Sequence, residues 1–305
     1  MPTERIYRTH AVVLRRHNIG EADRVLTLFT PTHGKIRAVA KGVRRMKSRL
    51  AGHVELFSRV DVLLAHGRSL DIVTQAEVRD PFPSLRGDLW KAAYASYIAE
   101  LVDRFAEERH DGPESRVLFD VLVGALGYFD RLGIAVPSSP EGAPAVAVPP
   151  AEVTDPDAAT GPAARLAARA AELKILGALG YAPELYVCVR CMERLQPVEN
   201  SISAAAGGTL CPRCARGDSA CRTISVNAIK AMRLLRTEGF ALASRLRLDE
   251  RDVRDIEFAL RAHLAVTLER SLRTTDVLDR LRAALPPTQP RASQAGRLQA
   301  GEGSE

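Results

Sequence analysis

Between Tyr7 and Val78 the apolar residues fall into short runs with a period of two, separated by turn signals. "YRTHAVVLRR" is rich in β-branched residues and stops at the turn-like "HNIG". "RVLTLFT" alternates, and "PTHG" supplies proline and glycine for a tight connection to "KIRAVAK". "LFSRVDVLLAHG" and "RSLDIVTQAEV" read as two further strands joined by a hairpin around His66, Gly67 and Arg68. Five short antiparallel strands in so little chain predict a small closed barrel of the OB-fold type. In the third strand Lys35, Arg37, Val39 and Lys41 share one face, and Ile36, Ala38 and Ala40 share the other. One face then packs inward while the other presents cations, and Gly42 allows a sharp exit from the strand.

From Ser84 the period lengthens to that of a helix. "SLRGDLWKAAYASYIAELVDRFAEER" spaces Leu85, Leu89, Ala92, Ala93, Tyr97, Leu101 and Phe105 along one stripe. "HDGPE" breaks it, and Pro113 suits the first turn of a second helix running to about Leu132. Residues 137–162 contain seven prolines and no periodic apolar face, which predicts an extended or disordered insert. Helical spacing returns in "AARLAARAAELKILGALG", stops at Gly180, and is expected again over about 225–238, 249–270 and 274–284. The predicted architecture is α+β. An OB-fold barrel occupies 1–82, and a helical domain is split into 83–136 and 163–285 by the Pro/Ala-rich insert. The helical domain carries a four-cysteine element at 186–222, and 286–305 form a disordered tail.

Charge sharpens the picture of the first domain. Residues 1–80 hold 15 Lys+Arg against 8 Asp+Glu, a net of +7, while the rest of the chain has a net of −1. The 31 residues from Arg24 to Val54 carry eight cations and no acid: Arg24, Lys35, Arg37, Lys41, Arg44, Arg45, Lys47 and Arg49. A field concentrated in this way draws polyanions, so these eight residues are the candidate nucleic-acid contacts. Phe29, Phe57 and Phe82 could in principle stack on bases, but phenylalanines within strand patterns belong first to the core. The apolar runs fall short of the ~18–20 residues of a membrane span. The polar start "MPTERIYRTH" carries no secretory signal, so a soluble, cytoplasmic protein is expected.

Cysteine spacing adds a metal centre. Cys188 and Cys191 form one CxxC pair, and Cys211 and Cys214 form a second after 19 intervening residues. Each CxxC turn aims two thiolates at a common point, and two turns complete a tetrahedral site with Zn–S distances of ~2.3 Å. Four protein ligands leave no open position, so the zinc would be structural. An iron–sulfur cluster uses the same ligands. A dithiol redox pair is the other alternative, although the βαβ pattern that normally accompanies one is absent. Cys221 reads as a small buried residue.

No motif for catalysis stands beside these features. GxGxxG, GxxxxGK[ST], GxSxG and HExxH do not occur. His33 and His66 sit in turn sequences with no carboxylate suggested by spacing. Glu21 and Asp23 read as solvent contacts or partners of Arg24, and Asp249, Glu250 and Asp252 as the start of a helix. No enzymatic activity is expected.

Taken together, "GEADRVLTLFTPTHGKIRAVAKGVRRMKSRL" and "ELFSRVDVLLAHGRSLDIVTQAEV" closely resemble the N-terminal domain of the bacterial recombination mediator family RecO. "LKILGALGYAPELYVCVRC", followed by a second CxxC, resembles that family's helix-then-zinc arrangement. The resemblance implies a non-enzymatic, nucleoid-associated DNA repair and recombination protein of the RecF pathway. Members bind single- and double-stranded DNA, anneal complementary strands and recognise the C-terminal tail of the single-stranded-DNA-binding protein. With RecR, and often RecF, they promote loading of RecA. It carries the seven cations from Lys35 to Arg49 over as DNA contacts and the four paired cysteines as zinc ligands. A zinc-dependent RNA- or ribosome-associated factor is the second reading, because OB-folds and zinc ribbons serve there too.

Overall fold

A computed structural model of the chain describes residues 5–133, 161–268 and 272–284. Strands β1 (Ile6–Ile19), β2 (Asp23–Thr30), β3 (Gly34–Ala40), β4 (Arg59–Ala65) and β5 (Asp71–Asp80) close into a barrel in the order β1-β2-β3-β5-β4. The sequence predicts antiparallel strands throughout, but β3 and β5 pair in parallel, with Ala38 opposite Asp71 and Val39 opposite Ile72. Alternation within a strand fixes its faces, not the direction of its partner. Closing five strands this way brings β5 back alongside β3 with the same polarity.

The barrel interior is filled by Ala11, Val13, Leu26, Leu28, Ile36, Ala38, Ala40, Val60, Val62 and Leu64. Where "AVVL" and "VLTLFT" run continuously apolar, the strand is buried on both faces. Val12, Leu14 and Phe29 turn away from the interior and join the helical core, with the Phe29 ring centroid 6.5 Å from that of Phe119. A bulge between Val13 and Arg15 shifts the register there.

Helix α1 (Ser84–Gly87) is a single turn, and α2 (Leu89–Phe105) follows it. One continuous helix is expected from Ser84, but Asp88 adopts an extended conformation and its carboxylate accepts from the N–H groups of Trp90 and Lys91 at 2.8 and 2.9 Å. An N-cap of this kind is worth about 1 kcal/mol, enough to restart the helix at that point. Helix α3 is Pro113–Arg131 and α4 is Pro162–Ala178, with Gly161 as N-cap, so Pro162 opens a helix rather than ending an insert. The remainder of the Pro/Ala-rich stretch and the 286–305 tail lie outside the described residues.

Strands β6 (Asn200–Ser203) and β7 (Gly208–Leu210), the turn α5 (Pro212–Ala215) and strand β8 (Arg222–Ile224) build a three-stranded sheet that short polar segments did not reveal. Helices α6 (Val226–Thr237), α7 (Leu242–Arg245), α8 (Glu250–Leu268) and α9 (Arg273–Ala283) complete the body. Asp249 accepts from the Asp252 N–H at 2.7 Å, capping α8 as the acidic start suggests. No helix among the described residues is long and apolar enough to cross a membrane.

Helix α4 lies at the centre and is buried on almost every side. Its alanines let neighbouring helices approach, and it also carries a buried ion pair, Arg169 with Glu172 at 2.5 Å. Tyr97 donates its hydroxyl to Glu172, and burial pushes both the tyrosine and the Glu172 carboxyl upward in pKa.

The barrel is joined to the helices at one end. A Cβ on Gly34, whose φ is +58°, would lie 2.4 Å from the His110 carbonyl oxygen, so the β2–β3 turn docks there only as glycine. Lys35 and residues 107–109 exchange backbone hydrogen bonds: Lys35 N–H to Glu107 O, 3.2 Å, and Arg109 N–H to Lys35 O, 2.9 Å. Beside them lies the fully buried Asp71, which accepts from Tyr7 Oη at 2.6 Å and from Arg109 at 2.8 Å. Burial alone would raise the Asp71 pKa. The bonds from Tyr7, Arg109 and the Gly67 N–H outweigh it and hold the carboxyl below its usual value.

Removing the Asp71 charge (Asp71→Asn) is expected to destabilise the fold by about 2 kcal/mol, read by denaturant unfolding. Because the folded pKa is depressed, the wild-type contribution is present above about pH 4 and is lost as the pH falls through the folded value. Thermal melts between about pH 6 and 2.5 should therefore converge for wild type and variant at the acid end.

Candidate nucleic-acid interface and metal centre

The basic loop follows β3 directly. Gly42 turns the chain out of the strand with φ +64°, and its N–H donates to Asp23 Oδ1 at 2.7 Å. Arg44 N–H donates to Ala22 O at 2.9 Å, which ties the loop to the β1–β2 turn. Val43 is buried in the barrel and Leu50 packs against the same cluster, so both ends of the loop are anchored. Between them, Ser48 N–H donates to Arg45 O at 3.0 Å and closes a tight turn.

Side chains of Arg37, Lys41, Arg44, Arg45, Lys47 and Arg49 are all exposed. None of the six joins an ion pair among the described residues, and Arg44 makes only a 3.2 Å bond to the Gly20 carbonyl. The acids that bracket the stretch are already engaged. Asp23 holds the Gly42 N–H rather than Arg24, and Glu55 pairs with Arg16 and Arg24. The result is a patch of positive charge with no internal counterion.

The other two predicted contacts lie differently. Lys35 is turned to the helices, donating to the Asp103 carbonyl at 2.6 Å and lying 3.5 Å from its carboxylate. Arg24 donates to Asn18 Oδ1 at 3.1 Å and lies 3.6 Å from Glu55. Phe29, Phe57 and Phe82 are all core residues. His66 does have a carboxylate neighbour, Asp71 at 3.5 Å, and its ring and that of His33 each lie 4.7 Å from Tyr7. That cluster joins residues far apart in sequence, and no local spacing announces it.

In the second half of the chain the four paired cysteines converge. The sulfurs of Cys188, Cys191, Cys211 and Cys214 all lie within 4.8 Å of one another, with Cys191 and Cys211 at 3.9 Å. Each pair sits on a tight turn: Met192 N–H donates to Cys188 O at 2.8 Å, and Cys211 opens α5. The Cys211 N–H also donates to Cys188 Sγ at 3.3 Å. Burial raises the Cys188 pKa, but N–H groups of Cys191, Cys211 and Arg190 bring it down to about 6. Cys214, crowded by Cys211 and the other sulfurs, is pushed up to about 12. Four thiols packed so closely resist ionising together unless a cation joins them, and this donor set can hold a metal ion. Cys221 is half-buried, not buried, and donates to the carbonyls of Asp218 and Ala215 outside the cluster.

Residues 3–82 match the family model described as recombination protein O N terminal, and residues 158–276 match recombination protein O C terminal. The chain belongs to the RecO family. The DNA repair protein RecO of Roseiflexus sp. (strain RS-1) is 38% identical over 287 residues, spanning 94% of this chain and 90% of its own length. RecO of Dehalococcoides mccartyi (strain CBDB1) is 32% identical over 278 residues, spanning 91% and 97%. RecO of Symbiobacterium thermophilum is 33% identical over 282 residues, spanning 92% and 99%. In this RecO-family chain the barrel with its cationic loop and the cysteine cluster fall within the two matched regions.

Replacing one ligand, Cys191→Ser, is expected to leave substoichiometric metal by elemental analysis and to lower the melting temperature. A chelator should lower the melting temperature of the wild-type protein in the same way and that of the variant much less.

Proposed function

We propose that this protein acts in DNA repair as a non-enzymatic mediator that grips DNA through the barrel and its basic loop. The observation that carries the reading is the group of six exposed cations, Arg37, Lys41, Arg44, Arg45, Lys47 and Arg49, without a carboxylate partner among the described residues. Two DNA strands repel each other as polyanions, and a surface that neutralises phosphates without reading bases brings them together for annealing. Lys35 and Arg24 are engaged within the protein, so the proposal rests on the other six. Buried phenylalanines leave no aromatic platform of that type, which favours binding with little sequence preference.

In this proposal the protein binds single and double strands and anneals complementary ones. It recognises the C-terminal tail of the single-stranded-DNA-binding protein and, with RecR and often RecF, promotes RecA loading. The family likeness supports those partners. Zinc is the metal proposed for the cysteine site. A single ion at ~2.3 Å from each sulfur sets sulfur separations of about 3.8 Å, close to the observed spacing, whereas an iron–sulfur cluster interposes several atoms. When bound, zinc would be held by Cys188, Cys191, Cys211 and Cys214 and would cross-link the β6–β8 sheet to the chain entering it.

If about five of the six cations contact phosphates, log K for single strands should fall with log[salt] at a slope of roughly −3.5. The triple variant Arg44→Glu, Arg45→Glu, Lys47→Glu should reduce that slope by about 2 and abolish annealing of complementary oligonucleotides. Unchanged, salt-sensitive annealing in the variant would sink the loop assignment. Retention of ribosomal material in place of RecR and the single-stranded-DNA-binding protein would favour the RNA-associated reading.

A further inference from the structure

One side chain in the basic loop is not explained by phosphate contacts. Met46 sits among the cations with a relative exposure of 104%, so nothing in the chain touches it appreciably. The other exposed large hydrophobics among the described residues range from 44% at Leu234 to 69% at Met192. A singly exposed apolar residue is ordinary on a surface, but this one is held outward by structure. The Arg45 carbonyl accepts from Ser48 N–H at 3.0 Å, leaving Met46 and Lys47 as the two central residues of the turn. The base of the loop is fixed by the Gly42 and Arg44 bonds and by the burial of Val43. A long apolar side chain therefore stands at the tip of a cationic loop whose backbone is already held, so binding has little backbone left to order.

We propose that Met46 is a wedge that enters between neighbouring bases of a strand whose phosphates are held by Arg44, Arg45, Lys47 and Arg49. The inference rests on the DNA-binding reading above and adds a contact to bases that the cations cannot make. Methionine suits the part: it is unbranched, flexible and polarizable, and its sulfur makes favourable contacts with aromatic rings. Apolar side chains of this kind unstack base steps at a cost of a few kcal/mol in a duplex, and a single strand resists less. With Phe29, Phe57 and Phe82 in the core, Met46 is the apolar group that the loop offers to a base. Opening the stack while the backbone is held leaves base edges free to pair, which annealing requires.

The test uses the full-length protein and a single-stranded oligonucleotide carrying 2-aminopurine, whose fluorescence rises when it is unstacked. Binding is followed in parallel by anisotropy. Wild type is expected to bind and to raise the fluorescence. Met46→Ser should bind within about twofold of wild type, with the same salt slope, yet lose most of the rise and anneal more slowly. Met46→Leu should restore both. An exposed position tolerates these changes, and matching melting temperatures will verify it. Equal fluorescence for wild type and Met46→Ser overturns the wedge while leaving the DNA-binding reading intact. Failure of wild type to bind the oligonucleotide overturns that reading as well. A Met46→Ser defect confined to retention of a partner protein also overturns the wedge and assigns the side chain to protein docking.

Discussion

The docking of the β2–β3 turn onto residues 107–110 is the contact on which the arrangement depends. Gly34 permits it, because a Cβ there would strike the His110 carbonyl, and the backbone bonds on either side of Lys35 complete it. Docking occupies one end of β3. The seven residues of that strand then carry the chain to the opposite end of the barrel, where the basic loop begins. At ~3.3 Å per residue the loop starts roughly 20 Å away from the helices. Strand length thus keeps the cations clear of Asp103 and the helices around it. Lys35, at the near end, illustrates the alternative, since it has been taken up by Asp103.

Much of this was legible from residue order. The alternation in "KIRAVAK" placed Ile36, Ala38 and Ala40 inside the barrel and Arg37 and Lys41 outside, and the paired CxxC turns announced a four-sulfur cluster. Local periodicity could not supply contacts made at a distance. Lys35 shares a face with Arg37, yet its end of the strand is covered by α2, which a two-residue period does not register. Asp71 read as an ordinary strand residue, while its partners Tyr7 and Arg109 lie 64 and 38 positions away. The strands of the β6–β8 sheet, three or four residues each, show too few alternations to reveal a period.

The two halves of the molecule handle charge in opposite ways. Around α4, arginines and carboxylates are closed into pairs: Arg165 with Glu257 at 2.6 Å, Arg282 with Glu257 at 3.0 Å, Arg169 with Glu172. Burial makes such pairing obligatory, since an unmatched ion there would cost several kcal/mol. In the loop the cations are left unmatched, which exposure makes inexpensive because water and salt screen them. The same residue type is therefore structural in one place and available to a ligand in the other, and the difference is solvent access.

The outward-facing Val12, Leu14 and Phe29 bear on how the chain is made. The helices that cover them, α2 over β1 and α3 over β2, lie some eighty to ninety residues further along the chain, with the Phe29 and Phe119 rings 6.5 Å apart. At synthesis rates of about 5–20 residues per second, the strands emerge several seconds before that cover exists. During the interval β1 and β2 present an apolar strip to the ribosome exit and its chaperones. The barrel has a core of its own, so what waits for the helices is the cover over Val12, Leu14 and Phe29, and a nascent chain that ends near residue 85 would leave that strip exposed.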